Sequence, residues 1–268
     1  MAIDTSAPAL VPFATHVEAV ERASQALARH AGQTWLGARV PTCPDWDVLD
    51  LVAHQGMVHR WATAALHDNR DAMGNADLME TEGRTSTDPI AWFTRGAEDL
   101  TAALRSAPED LEALVFLKNP PAPRDFWARR QCHETTVHAL DALSATTGRP
   151  EVTAEEARST VGVDADLALD GIDELLLGFF PRSRTRIRST SPYAVHLLPD
   201  DAPVSWVVEV GEEPVRSRRL TAQESIPDAA LVSGSAIDLY LALWNRGGSV
   251  HDPDGVLDRW REDGAVRW

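Results

Sequence analysis

Between Phe126 and Thr147 the chain has neither proline nor glycine, and the stretch from Trp127 to Asp141, WARRQCHETTVHALD, constrains the rest of the molecule. An uninterrupted run of this kind is predicted to be helical, and helical spacing gathers residues three and four apart on one side. That side holds Arg130, Glu134, His138 and Asp141. A solvated helix face carries longer, simpler charge pairs. Glu followed four residues later by His instead lets both side chains reach one metal ion. Alone, the Glu-x-x-x-His spacing is a weak signal.

A second stretch strengthens it: Thr42-Cys43-Pro44-Asp45-Trp46-Asp47-Val48-Leu49-Asp50-Leu51-Val52-Ala53-His54, running on to Val58-His59-Arg60-Trp61. Asp47 before Val48, with Asp50 three residues later, predicts a helix start whose anionic first turn suits the helix dipole. Along that helix Leu51, His54, Met57, Val58 and Trp61 recur at helical spacing, so His54 is the one titratable group on an apolar stripe. A single histidine there is more often a hydrogen-bonded core residue than a ligand. With Glu134 and His138 it completes a two-histidine, one-carboxylate set, and three protein ligands with a free position describe a catalytic metal site better than a structural one. His59 and His133 fall on other faces of their helices and are expected outside the set. Asp141, one turn beyond His138, is placed to orient its imidazole.

Composition narrows the function classes. The 268 residues suffice for one large or two modest domains, and the formal charge of −16 disfavours nucleic acid and anionic membranes as partners. Two cysteines, Cys43 and Cys132, are too few for a disulfide scaffold and point to a reduced cytoplasm; small packing residues are a better reading of them than soft ligands, redox switches or nucleophiles. The opening Met1-Ala2-Ile3-Asp4-Thr5-Ser6-Ala7-Pro8 has neither the basic patch nor the apolar core of a targeting segment. No run reaches the length needed to cross a bilayer. The sequence leaves monomer and dimer equally open.

Taken in order, a polar leader precedes four predicted helices at roughly 13–31, 47–68, 88–106 and 124–146, as an up-and-down bundle requires. Gly37 to Pro44 and the polar stretch 68–88 are expected to be connecting loops. Gly148-Arg149-Pro150 ends the last helix, and the acidic Glu151 to Glu156 leads into a second region. There, Asp166 to Phe180 predicts one amphipathic helix. Arg182, Arg184, Arg186 and Arg188 alternate as a solvated strand face would; Ala194 to Leu198, Ser205 to Val210 and Val215 to Thr221 are also strand-like. Helices from Ser235 to Trp244 and around Val256 to Arg261 complete a small α+β unit with an antiparallel sheet. Arg246 follows the first of these and precedes Gly247-Gly248.

The Cys-Pro-Asp-Trp-Asp-Val-x-Asp-Leu-Val-Ala-His run, the following Val-His-Arg-Trp, and the Arg-Arg-x-x-His-Glu-x-x-Val-His-x-x-Asp-Ala run together resemble the mycothiol-dependent maleylpyruvate isomerase family. Asp170 to Leu176 and Leu239 to Arg246 extend the resemblance through the second region. It implies a DinB-like metal-binding four-helix bundle over 1–150 and a small α+β domain over 155–268. It further implies a divalent metal, zinc first, on His54, Glu134 and His138, with mycothiol or another small thiol as cosubstrate and a small electrophilic or acidic substrate. An arginine of the second domain, Arg246, or Arg130 on the metal helix, would anchor the substrate carboxylate. The near-absence of lysine, with Lys118 alone, agrees with the actinobacterial source such a thiol implies. Isomerase and thiol S-transferase outcomes stay open, as do a non-haem iron enzyme and a non-catalytic metal-dependent ligand-binding protein.

Overall fold

The computed structural model describes residues 10–221, 224 and 226–266; the leader from Met1 to Pro8 lies outside the described residues. The chain divides into two compact units. One holds Val11–Val115 and Pro121–Gly162, and the other Leu10, Phe116–Pro120 and the described residues from Val163 onward.

The first unit is helical: α1 (Phe13–Gly32), α2 (Val48–Leu66), α3 (Arg70–Met73), α4 (Ala76–Thr85), α5 (Pro89–Ser106) and α6 (Pro123–Thr147), with a short α7 (Ala154–Glu156) running into a π-helical turn, Ala157–Val161. Local chemistry fixes the ends. Asp47 and Asp50 cap α2 reciprocally, each carboxylate accepting the other's backbone N–H at 2.9 Å. Asp88 caps α5 ahead of Pro89, and Gly148, in the left-handed region at φ 68°, ends α6. Helix α1 lies against α5 and α6, and α2 against α4, α5 and α6. Leu27, Leu51, Phe93, Leu100 and Leu104 fill the core. Each contributes about 1.5–3 kcal/mol through burial.

Helix α6 is unlike the others, because every residue from Phe126 to Ala145 is buried, charged ones included. Such a helix must satisfy its polar side chains inside the protein. Trp127 Nε1, for example, donates to the Leu114 carbonyl at 2.9 Å.

The second unit packs α8 (Ala165–Asp173), continuing as π-helical turns over Glu174–Phe179, and α9 (Ala236–Leu243) with a four-stranded sheet; α10 (Val256–Asp263) contacts α9. Strands β3 (Tyr193–Pro199), β4 (Val204–Val210), β5 (Arg216–Thr221) and β6 (Ala230–Gly234) are ordered β5-β4-β3-β6. Here the sheet departs from the all-antiparallel expectation, since β6 runs parallel to β3.

Three other expectations are corrected. Gly37 to Pro44 is not all loop: β1 (Arg39–Val40) and β2 (Cys43–Asp47) form a hairpin despite Pro41 and Pro44. The 68–88 connection contains α3 and α4. Gly56, on α2, and Gly83, on α4, have no Cβ to strike the buried Trp92 ring of α5, so the three helices close around that ring. Arg182 to Arg188 forms no strand; it is irregular chain.

Candidate metal centre

Helix α2 delivers His54 to the core, and α6 delivers Glu134 and His138 one turn apart. All three are buried, and one ligand atom from each lies within 4.8 Å of the other two. Glu134 Oε1 is 3.3 Å from His138 Nε2 and 3.8 Å from His54 Nε2. Two ligands about 2.0 Å from a tetrahedral ion sit about 3.3 Å from each other, so the set needs only small adjustment to close on one. The polar atoms support the same reading. Glu134 Oε1 and His138 Nε2 are buried and make no well-formed hydrogen bond. Leaving such groups unsatisfied costs about 1–3 kcal/mol each, a cost an ion would remove. The donor set therefore fits a divalent metal.

The surroundings prepare each ligand. Burial alone would push the Glu134 carboxyl up, but the Arg130 guanidinium and the two imidazoles outweigh it and hold the group well below the usual carboxylate range. Arg130 Nη2 donates to Glu134 Oε2 at 2.8 Å, leaving Oε1 facing the histidines. His138 Nδ1 donates to Asp141 Oδ2 at 2.9 Å, which directs the Nε2 lone pair toward Glu134. Burial opposes charge on His138, yet the Asp141 and Glu134 carboxylates that face its two ring nitrogens raise its pKa.

The β1–β2 hairpin closes one side. Thr42 Oγ1 donates to Asp141 Oδ1 at 2.6 Å, and the Cys43 thiol reaches Asp141 Oδ2 at 3.6 Å. The Trp46 ring stands over both imidazoles, with centroids 4.8 Å from His54 and 5.7 Å from His138. Cys132 is fully buried, as a packing residue would be, whereas Cys43 is half-buried beside Asp141.

His59 and His133 lie outside the three-ligand group. His59 Nε2 is 2.9 Å from both Gln55 Nε2 and Thr135 Oγ1; burial, then the nearby Arg60, lowers its pKa to about 3, so it stays neutral. The His133 ring meets His16 edge-on at 6.1 Å. Arg246, in the other unit, follows α9, with its backbone N–H donating to the Leu241 carbonyl and Nη1 to the Trp244 carbonyl at 2.6 Å. Gly248, at φ 86°, turns the chain back so tightly that a Cβ there would strike Asp238. Residue types alone did not single out Trp46, Thr42, Gln55 and Thr135. The available signal was position, since Gln55 and Thr135 each directly follow a candidate ligand.

Fold and cluster define a two-unit α+β protein whose helical unit encloses a buried His-Glu-His centre. The chain belongs to the mycothiol maleylpyruvate isomerase family: the model of that family's N-terminal domain matches residues 17–143, and the model of its C-terminal domain matches 166–262. Two crystal structures of a mycothiol-dependent maleylpyruvate isomerase, one of them a histidine-to-alanine mutant, are similar to it. Each has a TM-score of 0.61 and 14% identity, covering 91% of this chain and 94% of the other. At that identity the likeness is one of fold. No curated protein matches the chain.

Proposed function

We propose that this protein is a thiol-dependent enzyme using a divalent metal, zinc first, and mycothiol or a related small thiol, on a small electrophilic acid. The observation that carries this reading is the convergence of His54, Glu134 and His138, with Glu134 Oε1 and His138 Nε2 lacking hydrogen-bond partners in the core. Held by these three, the ion would lower the pKa of a thiol into the thiolate range at neutral pH. The protein's own groups do the rest. Arg130 fixes the Glu134 carboxylate, and Asp141 holds a proton at His138 Nδ1 and so fixes the ring's tautomer. The Trp46 ring shields the imidazoles on the hairpin side. Arg246 is assigned as the carboxylate anchor, and Arg130, tied to Glu134, as a positioning residue and the second choice for that anchor.

The isomerase outcome is placed first because the two similar solved structures are of a maleylpyruvate isomerase. In it, sulfur adds to a conjugated double bond, the resulting single bond rotates, and sulfur leaves; in the S-transferase outcome the carbon–sulfur bond is kept. Among the described residues no helix is long and apolar enough to cross a membrane.

The test is purification with metal analysis, then incubation with mycothiol and maleylpyruvate with and without oxygen. About one metal equivalent is expected, as a three-ligand site implies. Turnover should need both thiol and metal and be indifferent to oxygen. An oxygen requirement would move the protein to iron chemistry, and tight ligand binding with no product under any thiol would make it a carrier. Arg246→Ala should keep its metal and lose one to two decades of kcat/KM, the worth of a charge-assisted anchor at about 1.5–3 kcal/mol.

A further inference from the structure

A second polar group lies in the same helical core and is not used by the cluster. Gln55 and His59 sit one turn apart on α2, Thr135 sits on α6, and all three are fully buried. Gln55 Nε2 contacts His59 Nε2 at 2.9 Å and Thr135 Oγ1 at 3.2 Å, and Thr135 Oγ1 is 2.9 Å from the same His59 nitrogen. An amide nitrogen can only donate, so His59 Nε2 accepts and the Thr135 hydroxyl is its second donor. The Gln55–His59 bond is internal to α2. The two contacts of Thr135 cross from α2 to α6.

Position makes this informative. Gln55 follows His54 and Thr135 follows Glu134, so the crossing lies one residue along both helices from the approach of His54 to Glu134. Apolar side chains between helices pack acceptably after a small slide or roll, whereas a buried polar contact is met in a single register and penalises the others. The group is also poorly built for stability, because Gln55 Oε1 and His59 Nδ1 are buried with no hydrogen-bond partner. Apolar residues of similar size would suit a bundle core better.

We propose that Gln55, His59 and Thr135 form a positioning clamp that fixes α2 against α6 and thereby sets the separation of His54 from Glu134. The proposal rests on reading those two residues as metal ligands.

Thr135→Val tests it cleanly. The change removes the cross-helix hydroxyl, roughly preserves volume, and leaves Gln55 donating to His59. Three readouts are needed: melting of the metal-free protein, zinc affinity by chelator competition, and the visible spectrum of the cobalt-loaded protein. The metal-free variant should melt close to wild type, yet bind zinc about 10–100-fold more weakly, the usual effect of losing an outer partner. Its cobalt bands should shift, because they report ligand geometry. Thr135→Ser should restore both, and Gln55→Leu, which removes one of the two contacts that α2 makes with Thr135, should shift both readouts in the same direction even if Thr135→Val folds poorly. Wild-type zinc affinity and unchanged cobalt spectra in Thr135→Val and Gln55→Leu would overturn the clamp alone. A wild-type protein that takes up no divalent ion would overturn the ligand reading, and the clamp with it.

Discussion

Glu134 in the helical unit and Asp173 in the α+β unit are equally buried, 2% and 1% exposed, and each meets an arginine, yet their oxygens are used differently. Asp173 engages both. Its Oδ1 accepts from Trp206 Nε1 at 2.9 Å and Arg219 Nε at 3.0 Å, and its Oδ2 accepts from Arg219 Nη2 at 2.7 Å. It therefore staples the end of α8 to β4 and β5. Glu134 is tied by Oε2 to Arg130, while Oε1 faces two imidazole nitrogens without a sound hydrogen bond. A carboxylate whose task is to hold layers together is saturated by its neighbours. One that must take a further partner keeps a lone pair aimed at other lone pairs and bears the cost.

The largest expected effect would break this contrast outright. Glu134→Gln should weaken zinc binding by more than about 100-fold, beyond the 10–100-fold typical of outer partners, while Asp173→Asn retains a full metal complement by elemental analysis. Equal metal loss in both would show that the two carboxylates do not differ in kind. Next comes stability. Asp173→Asn leaves Arg219 facing a neutral amide; because that arginine is part-exposed, denaturant melts should report about 2–3 kcal/mol lost, below the usual cost of breaking a fully buried pair.

Asp141→Asn should sharpen the comparison at smaller scale. It keeps shape but weakens the acceptor at His138 Nδ1, so zinc affinity should fall about 10-fold or somewhat more, while His59→Ala, which loses a clamp partner and no ligand, still takes up a full equivalent at saturating zinc. The reverse ranking would mean that His59, not His138, faces the ion.

The smallest effect concerns acid. His59 has a folded pKa of about 3 against an ordinary 6.5, so the unfolded chain takes up its proton first as pH falls. The stability it contributes is full above pH 6.5 and is lost progressively between 6.5 and 3. In metal-free protein His138 has the opposite sign, because its pKa is raised: its contribution is present below 6.5 and lost as pH rises through the folded value. Comparison with metal-free His59→Leu isolates the first. Between pH 6.5 and 5.5 wild type should lose about 1 kcal/mol more than the variant, and parallel curves would show that His59 titrates normally.

Much of this was legible in the sequence, for reasons that also mark the limit. The main helices were legible because Asp47, Asp88, Pro89 and Gly148 carry their own end signals, and the pairing of Glu134 with His138 because i,i+4 spacing is local geometry. The hairpin was not legible, since Pro41 directly after a two-residue strand and Pro44 within its partner look like loop, and only the pairing of β1 with β2 shows that Trp46 reaches the imidazoles. Helix α4 was hidden by a polar composition that the approach of Gly83 to Trp92 overrides, and α3 by its length of a single turn. The parallel pairing of β3 with β6 joins strands distant in sequence, which no local pattern encodes. Likewise, Thr135 looks unremarkable until the fold places it against Gln55.

That last contact joins residues 80 apart in the chain, and the same span separates the two halves of the centre. Glu134 and His138 come within reach of each other as soon as a single turn of α6 winds. His54 joins them only when a loop of that length closes, at an entropic cost of about 4 kcal/mol. An ion meeting the nascent chain would find two donors and leave again; one meeting the closed bundle finds three. Metal retention, if the three residues hold an ion, would thus double as a certificate of folding, issued only after that long-range contact has formed.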